Sequence, residues 1–256
     1  MAKAVLLASF FPLEDSALLK KEDYQHHISA TFNTELESLR NQMLSMGGAV
    51  EQQLTSAISA LLQMDTGEAQ AIIDRDAEIN QMEMSIDDAC ATIIARRQPT
   101  ASDLRLVIAI IKVNTDLERI GDEAAKIAQQ TIRMSDDGIS PSNFAEVRQI
   151  GELVGSMLHR ALDAFARLEV EQAVEVVRGD EEVDRQYGSA MRSLATFMLE
   201  DSRKIGVILN EMWALRSLER IGDHATNIAE HLVYLVKGAD VRHGGLEGLH
   251  EHAPKG

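Results

Sequence analysis

Two runs of this chain are identical, and both carry carboxylates at helical spacing. Leu117 to Asp122 and Leu218 to Asp223 each read LERIGD, so Glu118 with Asp122 and Glu219 with Asp223 recur as i, i+4 pairs. Residues four apart share a helix face, where like charges destabilise by roughly a few tenths of a kcal/mol. A pair kept twice invites a cation, either the adjacent Arg119 and Arg220 or a metal ion, and a solvated, salt-bridged face is the other reading.

A second acidic pattern precedes each LERIGD run. Asp180 and Asp184 stand before the second copy, with Asp76 and Asn80 at the corresponding places before the first. At about 100° per residue, Asp180 falls inside the apolar arc of Val176, Val183, Tyr187, Ala190, Leu194 and Met198, and Asp184 lies at its margin. An inward carboxylate needs a donor or a cation, because an unpaired charge in low dielectric is costly. Pairing each such helix with its LERIGD helix gathers Asp76, Asn80, Glu118 and Asp122 at one place and Asp180, Asp184, Glu219 and Asp223 at another. Hard oxygen ligands suit Mg²⁺, Mn²⁺ or iron better than zinc in a thiolate site. Asn80 removes one charge from the first set, so that site is expected to be weaker or empty. An ordinary polar stripe of Asp76, Asn80, Glu83 and Asp87 beside a core is the competing reading.

The elements that must position these residues follow from an internal repeat. QMDTGEAQAIIDRD, ending at Asp76, matches RLEVEQAVEVVRGD, ending at Asp180, a shift of 104, whereas Leu117 to Leu218 is a shift of 101. The difference falls in a connection, RRQPTASD in the first copy against EDSRKI in the second. Within each copy apolar residues recur at three and four, the helical period. The first helix carries Leu36, Leu39, Met43, Met46, Val50, Leu54, Ile58 and Leu61. The second carries Ile72, Ile79, Ile86, Cys90 and Ile93, and the third Leu104, Val107, Ile111, Leu117, Ile120, Ala124 and Ile127. Asp65 with Glu68 reads as an N-terminal cap pair, Pro99 and Thr100 separate helices, and Ser140 before Pro141 opens the next copy. Gly121 and Gly222 interrupt helices at about 1 kcal/mol each relative to Ala, which a close approach of a partner helix explains.

The expected fold is all-α, two similar elongated three-helix bundles made by internal duplication. Residues 26–137 form the first repeat and 138–237 the second. Residues 1–25 are expected to be a poorly ordered extension and 238–256 a mobile Gly- and His-rich tail.

Composition narrows the function. Aromatics are 4% and Pro totals 4, so strand formers are few, and a net charge of −16 opposes nucleic acid and anionic lipid alike. No stretch is apolar enough to span a membrane. The lone Cys90 lies in an apolar helical pattern and reads as a core residue in a reducing cytosol. Nucleophilic catalysis has no motif, since neither a GxxxxGK loop nor a GxSxG elbow is present. The Glu-x-x-His of ferritin-like metalloenzymes occurs only at Glu247 and His250, where it is accidental. His224 and His231 are not repeated in the first copy and are expected at the surface, and Trp213 with Met43, Met46, Met191 and Met198 is expected in the core.

The duplicated LERIGD, the DxxxD or DxxxN helix before each copy and the run ARRQPTASDLRLV from Ala95 to Val107 resemble the PhoU family over roughly residues 26–243. The resemblance implies an all-α protein of two three-helix bundles. It also implies a cytoplasmic, non-enzymatic negative regulator of the phosphate-starvation regulon and of phosphate uptake. Such a regulator links the ATPase of the phosphate-specific ABC transporter to a phosphate-sensor histidine kinase. Some family members hold iron or zinc clusters through paired E(D)xxxD motifs, which match completely in the second bundle. We expect a homodimer, no organic cofactor and no catalytic residue. A helical carboxylate metal-binding protein or metalloenzyme is the alternative.

Overall fold

The computed structural model describes residues 30–136 and 144–238. The extension at 1–25, the opening of the second copy at Ser140 and Pro141, the tail beyond Gly238 and the Glu247–His250 pattern lie outside the described residues.

Six long helices follow one another: α1 (Ala30–Gln63), α2 (Thr66–Arg97), α3 (Ala101–Asp136), α4 (Ala145–Arg167), α5 (Val170–Glu200) and α6 (Ile205–Lys237). Among the described residues there is no strand. Most apolar positions read from the sequence are core ones, Leu36, Leu39, Met43, Met46, Val50, Leu54 and Leu61 being buried along α1, whereas Ile58, Leu104, Ile111, Met191 and Met198 are half-buried. Cys90 is buried within this core, and burial, with a smaller push from Asp87, raises its thiol to about 12. A thiol so hard to ionise is a packing residue, not a nucleophile.

The helix boundaries have local causes. Asp65 caps α2 by accepting the Glu68 N–H at 3.0 Å, immediately after Met64 turns the chain at φ 55°. Leu168 makes the matching turn before α5 at φ 58°. Gln98 closes α2 in the left-handed region and Pro99 follows, while Gly238 closes α6 at φ 73°. A 3₁₀ turn, Ser202–Lys204, absent from the sequence reading, joins α5 to α6.

Helices α1, α2 and α3 pack on one another, as do α4, α5 and α6. The two groups share a continuous apolar core, because α3 packs along α6 and α1 along α4. Both pairs are antiparallel. Along the first, Lys112 stacks over the Tyr234 ring at 5.1 Å, Asp116 meets Asn227, and Glu123 meets Arg220 at 2.5 Å. Along the second, Glu51 bonds His159, and a Cβ on Gly151 would touch Ile58.

Three sequence expectations are corrected, two of them by this seam. His231 is only 3% exposed and His224 is half-buried, both bonded to Asp116, so neither is a surface histidine. Trp213 is 61% exposed and is not a core filler. Arg220 reaches across to buried Glu123 rather than neutralising the carboxylates of its own LERIGD run.

Candidate functional site

Each LERIGD glycine is where the second and third helices of a repeat touch. A Cβ on Gly121 would lie 3.2 Å from Ile79 and 3.5 Å from Asp76 Oδ1; one on Gly222 would lie 3.5 Å from Val183 and 3.9 Å from Asp180 Oδ1. Ile79 and Val183, like Asp76 and Asp180, are repeat equivalents, so the duplicated sequence builds the same contact twice. That contact sets the inward aspartate of α2 or α5 against the backbone of α3 or α6, one residue from the LERIGD aspartate.

In the first repeat Asp76 Oδ1 accepts from the Gln53 amide at 3.0 Å, and the same amide donates to the Gly121 carbonyl at 3.3 Å. Gln53, from α1, is a site residue the sequence reading missed, because one buried glutamine in a helical pattern carries no signal. Burial raises Asp76 above the ordinary carboxylate range, and Asp122 adds to this, although the Gln53 bond lowers it. Glu118 is raised too, first by burial and then by Asp122, Glu83 and Asp76, with Arg119 opposing from 3.3 Å. Asp76, Glu118 and Asp122 therefore share one electrostatic neighbourhood. Asn80 is half-buried on the same helix, and its Oδ1 is buried without a hydrogen-bond partner.

The second repeat repeats this arrangement with more charge. Burial raises Glu219, and Asp223, Asp184 and Asp180 raise it further, so all four carboxylates act on one place. Arg216 is the cation that answers, donating to Glu219 Oε1 at 2.8 Å. The sequence offers the adjacent Arg220 for that part, and the structure gives it to Arg216, one turn earlier on the same helix. Glu219 Oε2 remains buried without a hydrogen-bond partner. Asp184 and Asp223 are exposed and Asp180 is half-buried, so the cluster opens to solvent on one side. Among the described residues, no group of three or more His, Cys, Asp or Glu side chains stands ready to hold a metal ion.

A family model described as the PhoU domain matches residues 43–131 and again 147–232, once per repeat. The chain is 53% identical over 234 residues to a protein of Pseudomonas aeruginosa named phosphate-specific transport system accessory protein PhoU homolog, covering 91% of this chain and 97% of that protein. It is 48% identical over 223 residues to the phosphate-specific transport system accessory protein PhoU of Escherichia coli K12, covering 87% and 92%. Its fold is similar to the crystal structure of PhoU from Pseudomonas aeruginosa, with a TM-score of 0.79, 54% identity and coverage of 81% of this chain and all of that one. The phosphate transport system regulatory protein PhoU from Streptococcus pneumoniae gives a TM-score of 0.76 at 32% identity, covering 82% and 98%. With a family domain on each repeat, and relatives aligned over most of both chains, this chain belongs to the PhoU family.

Proposed function

We propose that the chain is a cytoplasmic, non-catalytic accessory protein of phosphate-specific transport. In this reading it holds the phosphate-starvation regulon off when phosphate is plentiful, as an adaptor between the transporter ATPase and a phosphate-sensor histidine kinase. The observation that carries this is the pair of PhoU domains spanning the helical body, in a chain whose relatives are named as accessory proteins of that transport system. No described helix is long and apolar enough to cross a membrane, which suits an adaptor that docks on others. Deleting the gene should leave phosphate-starvation genes expressed in phosphate-rich medium, and re-expression should silence them. Normal repression in the deletion strain would overturn the reading.

Within it, we propose that the acidic clusters, whose side chains are not gathered around a metal position in the described structure, draw together on a divalent cation, Mg²⁺, Mn²⁺, iron or zinc. Asp180, Asp184, Glu219 and Asp223 would hold one, and Asp76, Asn80, Glu118 and Asp122 a weaker one. The donor chemistry supports this, since Glu219 Oε2 and Asn80 Oδ1 are buried oxygens without partners beside mutually repelling carboxylates. A bound cation supplies positive charge that relieves the repulsion. For that, Glu219 must share or surrender its bond to Arg216.

A further inference from the structure

The first turns of α6 carry one acid in their buried stripe and three large apolar residues on their outer face. Ile208, Ala214 and Leu215 form the buried stripe there, and Glu211 lies within that stripe at 7% exposed. On the opposite face, about 120° to 200° away at 100° per residue, Ile205, Leu209 and Trp213 face outward. They are 40%, 43% and 61% exposed.

The fold does not require a carboxylate at this place. The first repeat puts Ile110 at the equivalent position, fully buried in the same core. No hydrogen bond or ion pair joins Glu211 to a described residue. Of the elements packed on α6, α4 presents Glu146, whose charge repels that of Glu211; among the described residues no cation from α3, α5 or the 3₁₀ turn offsets it. In that turn Arg203 is committed to Asp201.

We propose that Glu211 makes the start of α6 a proton-operated release. With its carboxyl neutral, the first turns stay packed on α4 and α5; on ionisation they and the 3₁₀ turn loosen from the second bundle. Burial, helped by Glu146, raises the Glu211 carboxyl to about 7, so the change falls in the physiological range. The raised value belongs to the packed state. An opened segment returns Glu211 to the ordinary carboxylate range, so rising pH favours opening until the packed-state value is passed. The pattern fits such a segment, because Ile205, Leu209 and Trp213 leave much of their apolar surface outside the packing, and segments that bury few apolar contacts open most readily.

Hydrogen exchange of the full chain, corrected for the intrinsic rate, tests this on the amides of residues 202–215. Their opening constant should rise about tenfold between about pH 6 and pH 8 and level off above, while amides of α2 stay protected. Fluorescence quenching of Trp213, the sole tryptophan, should follow the same curve. Glu211→Gln should abolish the rise, Glu211→Ile should do so with the residue the first repeat already uses, and Glu146→Gln should move the curve to lower pH. A flat profile in the unaltered chain, or a rise surviving in the folded Glu211→Gln or Glu211→Ile variant, overturns the proposal.

Discussion

Nε2 of His231 lies 2.9 Å from Oδ2 of Asp116, so the last helix of one repeat is bonded in the protein interior to the last helix of the other. His224 at 2.8 Å and Asn227 at 3.1 Å both reach Oδ1 of the same carboxylate. One aspartate from α3 thus receives three donors from α6, and it fixes the register of the two bundles.

Removing that acceptor leaves three buried or half-buried donors without a partner, a loss that outweighs the bonds themselves. Asp116→Ala should cost about 2–4 kcal/mol. Urea unfolding measures it, and a loss comparable to that of an exposed-site control would show that the node contributes nothing.

The same node has an acid signature. Burial pushes the Asp116 carboxyl up, but the bonds from His224 and His231, the attraction of His231 and the Asn227 bond more than offset this and hold it below its ordinary range. Its unfolded value is about 3.9, so the stabilisation is present above about pH 4 and lost as pH falls through the folded value. Stability of the unaltered chain should therefore drop more steeply below about pH 4 than that of Asp116→Asn. Parallel acid titrations of thermal midpoint check this, and identical slopes would contradict it.

The two repeated glycines should respond differently to the same substitution. At Gly222 a Cβ meets Val183 at 3.5 Å, an ordinary contact, so Gly222→Ala should stabilise by up to about 1 kcal/mol through helix propensity. At Gly121 the Ile79 side chain stands at 3.2 Å and must shift, so Gly121→Ala should gain less or lose. Thermal melts that rank Gly121→Ala above Gly222→Ala would refute this ordering.

What the sequence made legible was whatever a single helix or a single repeat encodes. The duplicated LERIGD, the apolar stripes and the inward Asp180 all follow from periodicity, and Gly121 and Gly222 were readable as points of helix approach. What depends on α3 meeting α6 was not legible. A helical wheel puts His231 and Glu123 on polar edges, and each edge is covered only by the other bundle. Trp213 fails in the opposite sense, since its size argues for burial while its face of α6 stays largely uncovered among the described residues. Gln53 and Arg216 were missed because each acts through a partner fixed by tertiary geometry, Asp76 and Glu219 respectively.

The acidic clusters should make stability depend on a divalent cation. The second repeat places four carboxylates at its motif positions, Asp180, Asp184, Glu219 and Asp223, against three in the first, where Asn80 stands in for an acid and Glu83 acts on Glu118 from one turn away. Cation affinity at oxygen sites rises with ligand charge, so the second site should bind more tightly. A ligand of the folded state stabilises it by about 2.7 kcal/mol at a hundredfold excess over Kd. Mn²⁺ or Mg²⁺ should then raise the melting temperature, and Glu219→Ala with Asp223→Ala should remove more of that shift than Glu118→Ala with Asp122→Ala. Arg216→Ala offers the complementary test. It frees Glu219 Oε1 and deletes the competing cation, so it should enlarge the metal-induced shift. If metal leaves the melts unchanged, or both double variants keep the full shift, the carboxylates are a solvated or partner-facing surface, and their mutual repulsion is relieved by protonation and by arginine alone.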